Sequence, residues 1–224
     1  MDLTTKDVSH LLMLQEKEVQ QLIKKKEIPN QILQDKVVFN KQQIIEWALA
    51  RNLPINISGH KKLSQYHLET LSTLLEKESF HYDCNFSESS YIDQMVSEIN
   101  FEKNVDREII VQLLKSREEM MSTAIGNGIS LPHPRVPLMV GKNKPLINIF
   151  FPNKPLDLKS IDSKPVHTIV LVISQTIKQH LSLLAHLSFL LSKETFRFAL
   201  ENRLLHKEIL DIIKKIEETR NKAQ

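Results

Sequence analysis

The chain has 224 residues, with 30 Lys and Arg against 27 Asp and Glu, a formal net charge of +3. That length admits one large or two modest domains with real cores, and so mild a charge does not by itself demand nucleic acid. A single cysteine, Cys84, excludes an intramolecular disulfide and offers no metal-ligand spacing. The longest apolar runs, 146–152 and 168–173, are far too short to span a bilayer, and no basic-then-apolar leader opens the chain. A cytoplasmic protein without membrane insertion, metal or cofactor is expected.

In chain order, Thr4 to Asp7 reads as a capping box opening a short helix whose apolar face is Val8, Leu11 and Leu12. After a turn at 13–15, Val19, Leu22 and Ile23 mark a second helix. It must stop before Ile28, because the residue preceding Pro29 is pushed out of helical geometry. Residues 32–39 read as two short strands around a turn at 34–36, and Asn40 caps a third helix with Ile44, Trp47 and Ala48 inward. Pro54, Gly59 and paired charges then suggest a linker over residues 53–67.

Beyond the linker, the pattern predicts helices over 68–78, 89–100 and 106–116, and strands over 80–84, 129–131, 146–151 and 168–173. Further helices follow over 180–191 and near the C-terminus. Strands 146–151 and 168–173 are apolar throughout, as a sheet covered on both faces requires. The expectation is therefore an N-terminal, mainly α winged helix-turn-helix over 1–52, and an α/β sandwich over 68–224 with a mixed sheet flanked by helices.

The most informative stretch is Ser122–Arg135, STAIGNGISLPHPR, which holds two of the chain's four glycines, Gly126 and Gly128. Asn127-Gly128 followed by apolar residues is a hairpin signal, and Pro132 and Pro134 fix the backbone on both sides of His133. The stretch resembles the active-site signature of the fructose/mannitol-type enzyme IIA domains of the bacterial phosphotransferase system, roughly S-T-x-I-G-x-G-I-x-x-P-H. That resemblance implies that His133 accepts a phosphoryl group from HPr or a paralogue. Arg117 resembles the family's helix-end arginine and His180 its second active-site histidine, and the likeness runs from about Leu68 to the C-terminus.

The chemistry agrees with these roles. A phosphoryl-accepting histidine attacks as neutral imidazole, and arginine presents a permanent charge on a planar fork that matches phosphate oxygens. The N–H groups of the turn at Gly126, Asn127 and Gly128 are expected to add donors to the phosphoryl group. His167, His186 and His206 carry no motif and read as structural or surface residues. A hydrolase using a metal at His133 and His180 finds no recognised ligand spacing to support it.

Residues 3–50 resemble the MerR/excisionase-type DNA-binding module, through 3–8, 19–29 and 39–47. That likeness implies that the second helix enters the major groove, presenting Lys17, Gln20, Gln21 and Lys24 opposite its apolar stripe. Lys25, Lys36 and Lys41 would neutralise phosphates nearby. Two departures from the module stand out: Glu27 occupies a position where glycine is usual, and the wing offers mainly Lys36 where arginines are common.

The combined reading is a phosphotransferase-system regulator, a phosphoryl acceptor and carrier rather than a stand-alone enzyme. Its phosphorylation would alter binding to DNA or to a regulatory protein target, with a homodimer as one arrangement. The alternative is a phosphoryl carrier for a sugar transporter, whose N-terminal module acts only in docking or dimerisation.

Overall fold

The computed structural model describes residues 2–33, 36–51, 53–56, 70–103, 105–140 and 144–222. The N-terminal unit comprises β1 (Asp2–Leu3), α1 (Thr5–Leu11), α2 (Glu16–Lys24), β2 (Gln31–Leu33), β3 (Lys36–Asn40) and α3 (Lys41–Ala50). The capping box at Thr4 and Asp7 forms as the sequence leads one to expect, and Asn40 Oδ1 accepts the Gln43 N–H at 3.2 Å. β2 and β3 form an antiparallel ribbon, as expected, and β1 adds an unexpected third strand on the other edge of β3. Two residues of the expected wing turn, 34 and 35, lie outside the described residues.

Helices α1 and α2 stop without glycine. In each, the residue after the cap, Met13 or Lys26, takes φ 56°. The next N–H then reaches back five residues, Leu14 to the Ser9 carbonyl and Glu27 to the Leu22 carbonyl. This is the Schellman closure that glycine normally serves. Arg203 closes a later helix in the same way, at φ 50°. At Glu27 the freed carbonyl accepts the indole N–H of Trp47 at 2.6 Å, which locks α2 against α3.

The larger unit is a three-layer sandwich. Its five-stranded mixed sheet runs β5 (Phe80–Cys84), β9 (Leu146–Pro152), β10 (Thr168–Ile173), β7 (Ile129–Ser130), β6 (Ala124–Gly126). Alternation along the two central strands feeds two cores. Phe150, Ile169, Leu171 and Ile173 face α5 (Tyr91–Glu98) and α6 (Arg107–Met120). Ile147, Ile149, Phe151, Val170 and Val172 face α4 (Leu71–Leu74), α7 (Ile177–Leu191), α8 (Glu194–Glu201) and α9 (His206–Lys222). Cys84 lies in the buried strand expected for it, and burial pushes its thiol up to about 11.

Several boundaries differ from the sequence reading. The single helix expected over 68–78 is only α4 in its described part. Leu75 is extended, with ψ 123°, and a 3₁₀ turn follows at Lys77–Ser79. The Ser79 hydroxyl accepts the Glu76 N–H, a local bond that competes with helix continuation, and Leu75 turns into the core. α6 runs four residues beyond the expected Ser116, and α7 starts three residues before His180, capped by Thr176.

The segment expected as a linker opens docked rather than free. Ile55–Asn56 forms β4, which pairs in parallel with β8 (Leu138–Met139), and both residues of β4 are buried. The rest of that segment, 57–67, lies outside the described residues. Among the described residues, no helix is long and apolar enough to cross a membrane.

Lys26→Gly should raise the unfolding free energy by about 0.5–1 kcal/mol, the relief of left-handed strain less the larger unfolded-state entropy of glycine. Urea denaturation of the two proteins measures this. An unchanged or lower midpoint would mean that the Lys26 side chain contributes contacts worth more than the strain.

Candidate functional site

Three elements converge where β7 ends. Residues 131 and 132 continue β7 in extended form: the Leu131 N–H donates to the Thr123 carbonyl at 2.9 Å, and the Val172 N–H to the Pro132 carbonyl at 3.0 Å. The backbone before His133 is thus clamped between β6 and β10, and Pro134 leaves the histidine little freedom beyond it. β10 runs parallel to β7 and leads into α7, whose first turn ends at His180. Arg117 stands in the last turn of α6, where a cation is favoured by the helix dipole.

The rings of His133 and His180 lie 5.2 Å apart, centroid to centroid, tilted by 45°. Nδ1 of His133 is 2.7 Å from the Leu131 carbonyl oxygen. A carbonyl only accepts, so Nδ1 carries the proton and Nε2 holds the lone pair. His133 is half-buried, and burial lowers its basicity; the Leu131 hydrogen bond works against this, the Arg117 charge adds to it, and Glu118 opposes it. His180 is pushed down to about 4, first by burial and then by His133 and Arg117. Both imidazoles are therefore neutral near pH 7. Arg117 donates one N–H to the Met121 carbonyl at 2.8 Å, and its charge is felt at both rings.

The turn at Gly126, Asn127 and Gly128 forms the expected hairpin, with φ of 97°, 54° and 69°. Its expected role does not follow. The turn stands at the opposite end of β7 from His133, ~15 Å away at the rise of an extended chain. The Asn127 N–H is already bonded to Asp162 Oδ2 at 2.8 Å. That carboxylate is held down to about 2, mainly by the Ser160 hydroxyl and then by the Asn127 N–H. Gly128 is required for a different reason: a Cβ there would stand 2.2 Å from the His167 ring. The glycines shape the turn into β7, at the end away from His133.

On the N-terminal unit, Lys17, Gln20, Gln21, Lys24 and Lys25 are exposed on or just beyond α2, and Lys36 is exposed on β3. Lys41 does not join them. Its ammonium is 2.7 Å from Asp106, the residue that caps α6, because that carboxylate already faces α3. It ties the two units together instead of facing nucleic acid.

Sequence reasoning missed Glu118. Its carboxylate accepts the Thr123 N–H and hydroxyl, at 2.6–3.1 Å. No periodicity separates it from Glu119; only its place beside Arg117 and before the motif could have marked it. Also unforeseen is the apolar rim of the site: Met120, Met121, Ile177 and Leu181 are all more than half exposed on the elements that carry Arg117 and His180. Among the described residues, no three His, Cys, Asp or Glu side chains are grouped to hold a metal ion.

Burial lowers the basicity of His133, His167, His180 and His186 alike. A base depressed on folding is protonated first in the unfolded chain, so stability is complete above the ordinary value of 6.5 and is lost as pH falls towards about 4, the value for His180. The unfolding free energy should therefore decline as pH drops through that window, and His180 should titrate near its lower end by NMR. A His180 midpoint at or above 6.5 would contradict the burial argument.

Residues 73–216 match the family described as phosphoenolpyruvate-dependent sugar phosphotransferase system, EIIA 2. The chain is 28% identical over 147 residues to the PTS system fructose-specific EIIABC component of Bacillus subtilis (strain 168), covering 64% of this chain but 23% of that protein. It is 31% identical over 94 residues to a nitrogen regulatory protein of Pseudomonas aeruginosa, covering 41% and 59%. The chain thus spans less than two thirds of the length of either relative. The crystal structure of nitrogen regulatory protein IIA-Ntr from Neisseria meningitidis superposes with a TM-score of 0.54 at 19% identity, covering 64% of this chain and 98% of that one. With the family match spanning well over half its length, the chain belongs to the EIIA 2 family of the phosphoenolpyruvate-dependent sugar phosphotransferase system.

Proposed function

We propose that this chain is a regulatory phosphoprotein of the phosphotransferase system, accepting a phosphoryl group on Nε2 of His133 from HPr or a paralogue. The observation that carries the reading is the hydrogen bond from Nδ1 of His133 to the Leu131 carbonyl, 2.7 Å long, beside Arg117 and His180. The Nε2 lone pair attacks the donor's phosphorus as the donor's N–P bond breaks, and that bonding pair stays on the donor ring. Positive charge develops on the His133 imidazole, where the Leu131 carbonyl stabilises it. Arg117 offsets the negative charge on the phosphoryl oxygens, and neutral His180 supplies a hydrogen bond without adding a cation. The exposed Met120, Met121, Ile177 and Leu181 form an apolar rim suited to docking the donor protein.

Incubation with phosphoenolpyruvate, enzyme I and HPr should attach about one acid-labile phosphoryl group per chain, since a phosphoramidate bond hydrolyses in acid. His133→Ala should abolish it; wild-type labelling of that variant would end the assignment. Arg117→Ala should fold normally, because the side chain is half exposed, yet accept phosphoryl about 10²–10³-fold more slowly.

The N-terminal unit, within a division at 1–52, 53–67 and 68–224, is read as a winged helix-turn-helix of the MerR/excisionase type. In its support, α1 and α2 pack across a tight turn, β2 and β3 form a ribbon, and α2 exposes Lys17, Gln20, Gln21 and Lys24. Phosphorylation would place new charge beside Arg117 at one end of α6, whose other end is bonded to Lys41. Binding to DNA, or to a protein target, would change in consequence.

Contacts to phosphate from Lys24, Lys25 and Lys36 alone would cost roughly fortyfold in affinity between about 50 and about 200 mM salt. Gel shift with promoter fragments measures this; Gln20→Ala should relax sequence preference, and Lys25→Ala should weaken all sequences alike. A chain that shifts no DNA at low salt, even at concentrations that favour a dimer, is a phosphoryl carrier with a docking module. The loss of Lys41 from the basic face is the one observation that favours that second reading.

A further inference from the structure

We propose that Glu118 is a positioning residue for phosphoryl acceptance, holding Thr123 so that the Leu131 carbonyl faces Nδ1 of His133. The proposal rests on His133 being the acceptor, but its geometry is independent of the chemistry.

The connection runs through three consecutive links, Glu118 to Thr123, Thr123 to Leu131 and Leu131 to His133. The Glu118 carboxylate accepts the Thr123 hydroxyl at 2.6 Å, and both of its oxygens lie 3.1 Å from the Thr123 nitrogen. The Ser122 hydroxyl lies 3.1 Å from the same carboxylate but gives its proton to the Leu158 carbonyl at 2.6 Å, so the hold is on Thr123. The Thr123 carbonyl in turn accepts the Leu131 N–H at 2.9 Å, and the Leu131 carbonyl accepts Nδ1–H of His133 at 2.7 Å. Thr123 is buried, its hydroxyl lies 3.0 Å from that of Ser130, and β6 pairs with β7 through Ala124 and Ser130. The motif strand is therefore hung from α6 at a single carboxylate, one residue after the arginine that serves the transferred group. Arg117 and the acceptor's orienting carbonyl share one rigid mount.

The charged and titratable groups facing His133 are Arg117 and Glu118 from α6 and His180 from α7. Of these, only Glu118 carries negative charge. It raises the basicity of His133 where burial and Arg117 lower it, and so adds a direct electrostatic effect to the mechanical one. Glutamine at this position keeps the size but offers a single acceptor oxygen, and its NH₂ would oppose the donors of Thr123.

Glu118→Gln, in the full chain, is tested with two readouts. ¹⁵N NMR of the imidazoles reports the His133 tautomer and titration midpoint without any phosphoryl donor. Phosphorylation by phosphoenolpyruvate, enzyme I and HPr reports the rate. The expected result is a folded protein with a weakened Nδ1–H preference, a lower His133 midpoint, and acceptance slowed by about tenfold or more, as loss of reactant alignment gives. A merely structural Glu118 would lower the melting temperature and leave tautomer, midpoint and rate of the folded protein unchanged; that result overturns the proposal. Should Glu118→Gln fail to fold, Thr123→Val removes the 2.6 Å contact to Glu118, together with the 3.0 Å contact to Ser130, and must move tautomer and rate in the same direction; no movement overturns it equally. If wild type is never labelled, the acceptor reading fails, and the tautomer and midpoint still decide the positioning role.

Discussion

Residues 129–132 run extended between β6 and β10, and their backbone hydrogen bonds set where His133 stands. Thr123 holds Leu131 from one side and Val172 holds Pro132 from the other. What remains is one carbonyl, that of Leu131, aimed at the imidazole. An imidazole whose tautomer is chosen by a backbone atom is oriented through the strand rather than by a side chain bonded to its ring. The cost moves to the backbone, which must not slip. The hairpin turn with two positive-φ glycines, the contact of Gly128 with His167, and the anchoring of Asn127 on Asp162 all keep β7 in register from its far end.

Around this fixed path the electrostatics divide cleanly. Burial and Arg117 hold both imidazoles neutral. Arg117 sits at a helix C-terminus, which tolerates its charge while no phosphoryl group is present. The exposed methionines and aliphatics at the same helix ends surround the polar centre with apolar surface.

Among the described residues, the N-terminal unit and the segment after it meet this machinery through a strand pair and an ion pair. β4 pairs with β8, only five residues beyond His133, and Lys41 bonds Asp106 at the head of the helix that ends in Arg117. The ion pair is about one-third exposed and is worth little in stability, on the order of 0–1 kcal/mol. Its significance is geometric. The apolar core of the N-terminal unit is also continuous with the α5 and α6 side of the sandwich, through Ile55 and Leu138. Both ends of the path from the N-terminal unit to α6 are thus packed contacts.

Much of this was legible in residue order because it depends on local chemistry. The helix caps at Thr4 and Asn40, the apolar strands of the central sheet, the hairpin at Asn127-Gly128 and the proline-bracketed His133 each follow from a few neighbouring residues. Helix ends were less legible where non-glycine residues took left-handed conformations, as at Met13, Lys26 and Arg203, since such closures leave no composition signal. The sequence by itself determined which residues hold reactive groups: an imidazole between prolines, an arginine at a helix end, a second imidazole on a later helix. Only the tertiary structure decided what those groups face. Whether Lys41 meets solvent or Asp106, whether the Gly126–Gly128 amides meet a ligand or Asp162, and whether Glu118 rather than Glu119 carries the motif strand depend on partners 5 to 65 residues away. Contacts at that separation are chosen by how whole elements pack, and packing is a property of the folded ensemble of side chains, not of any window along the chain.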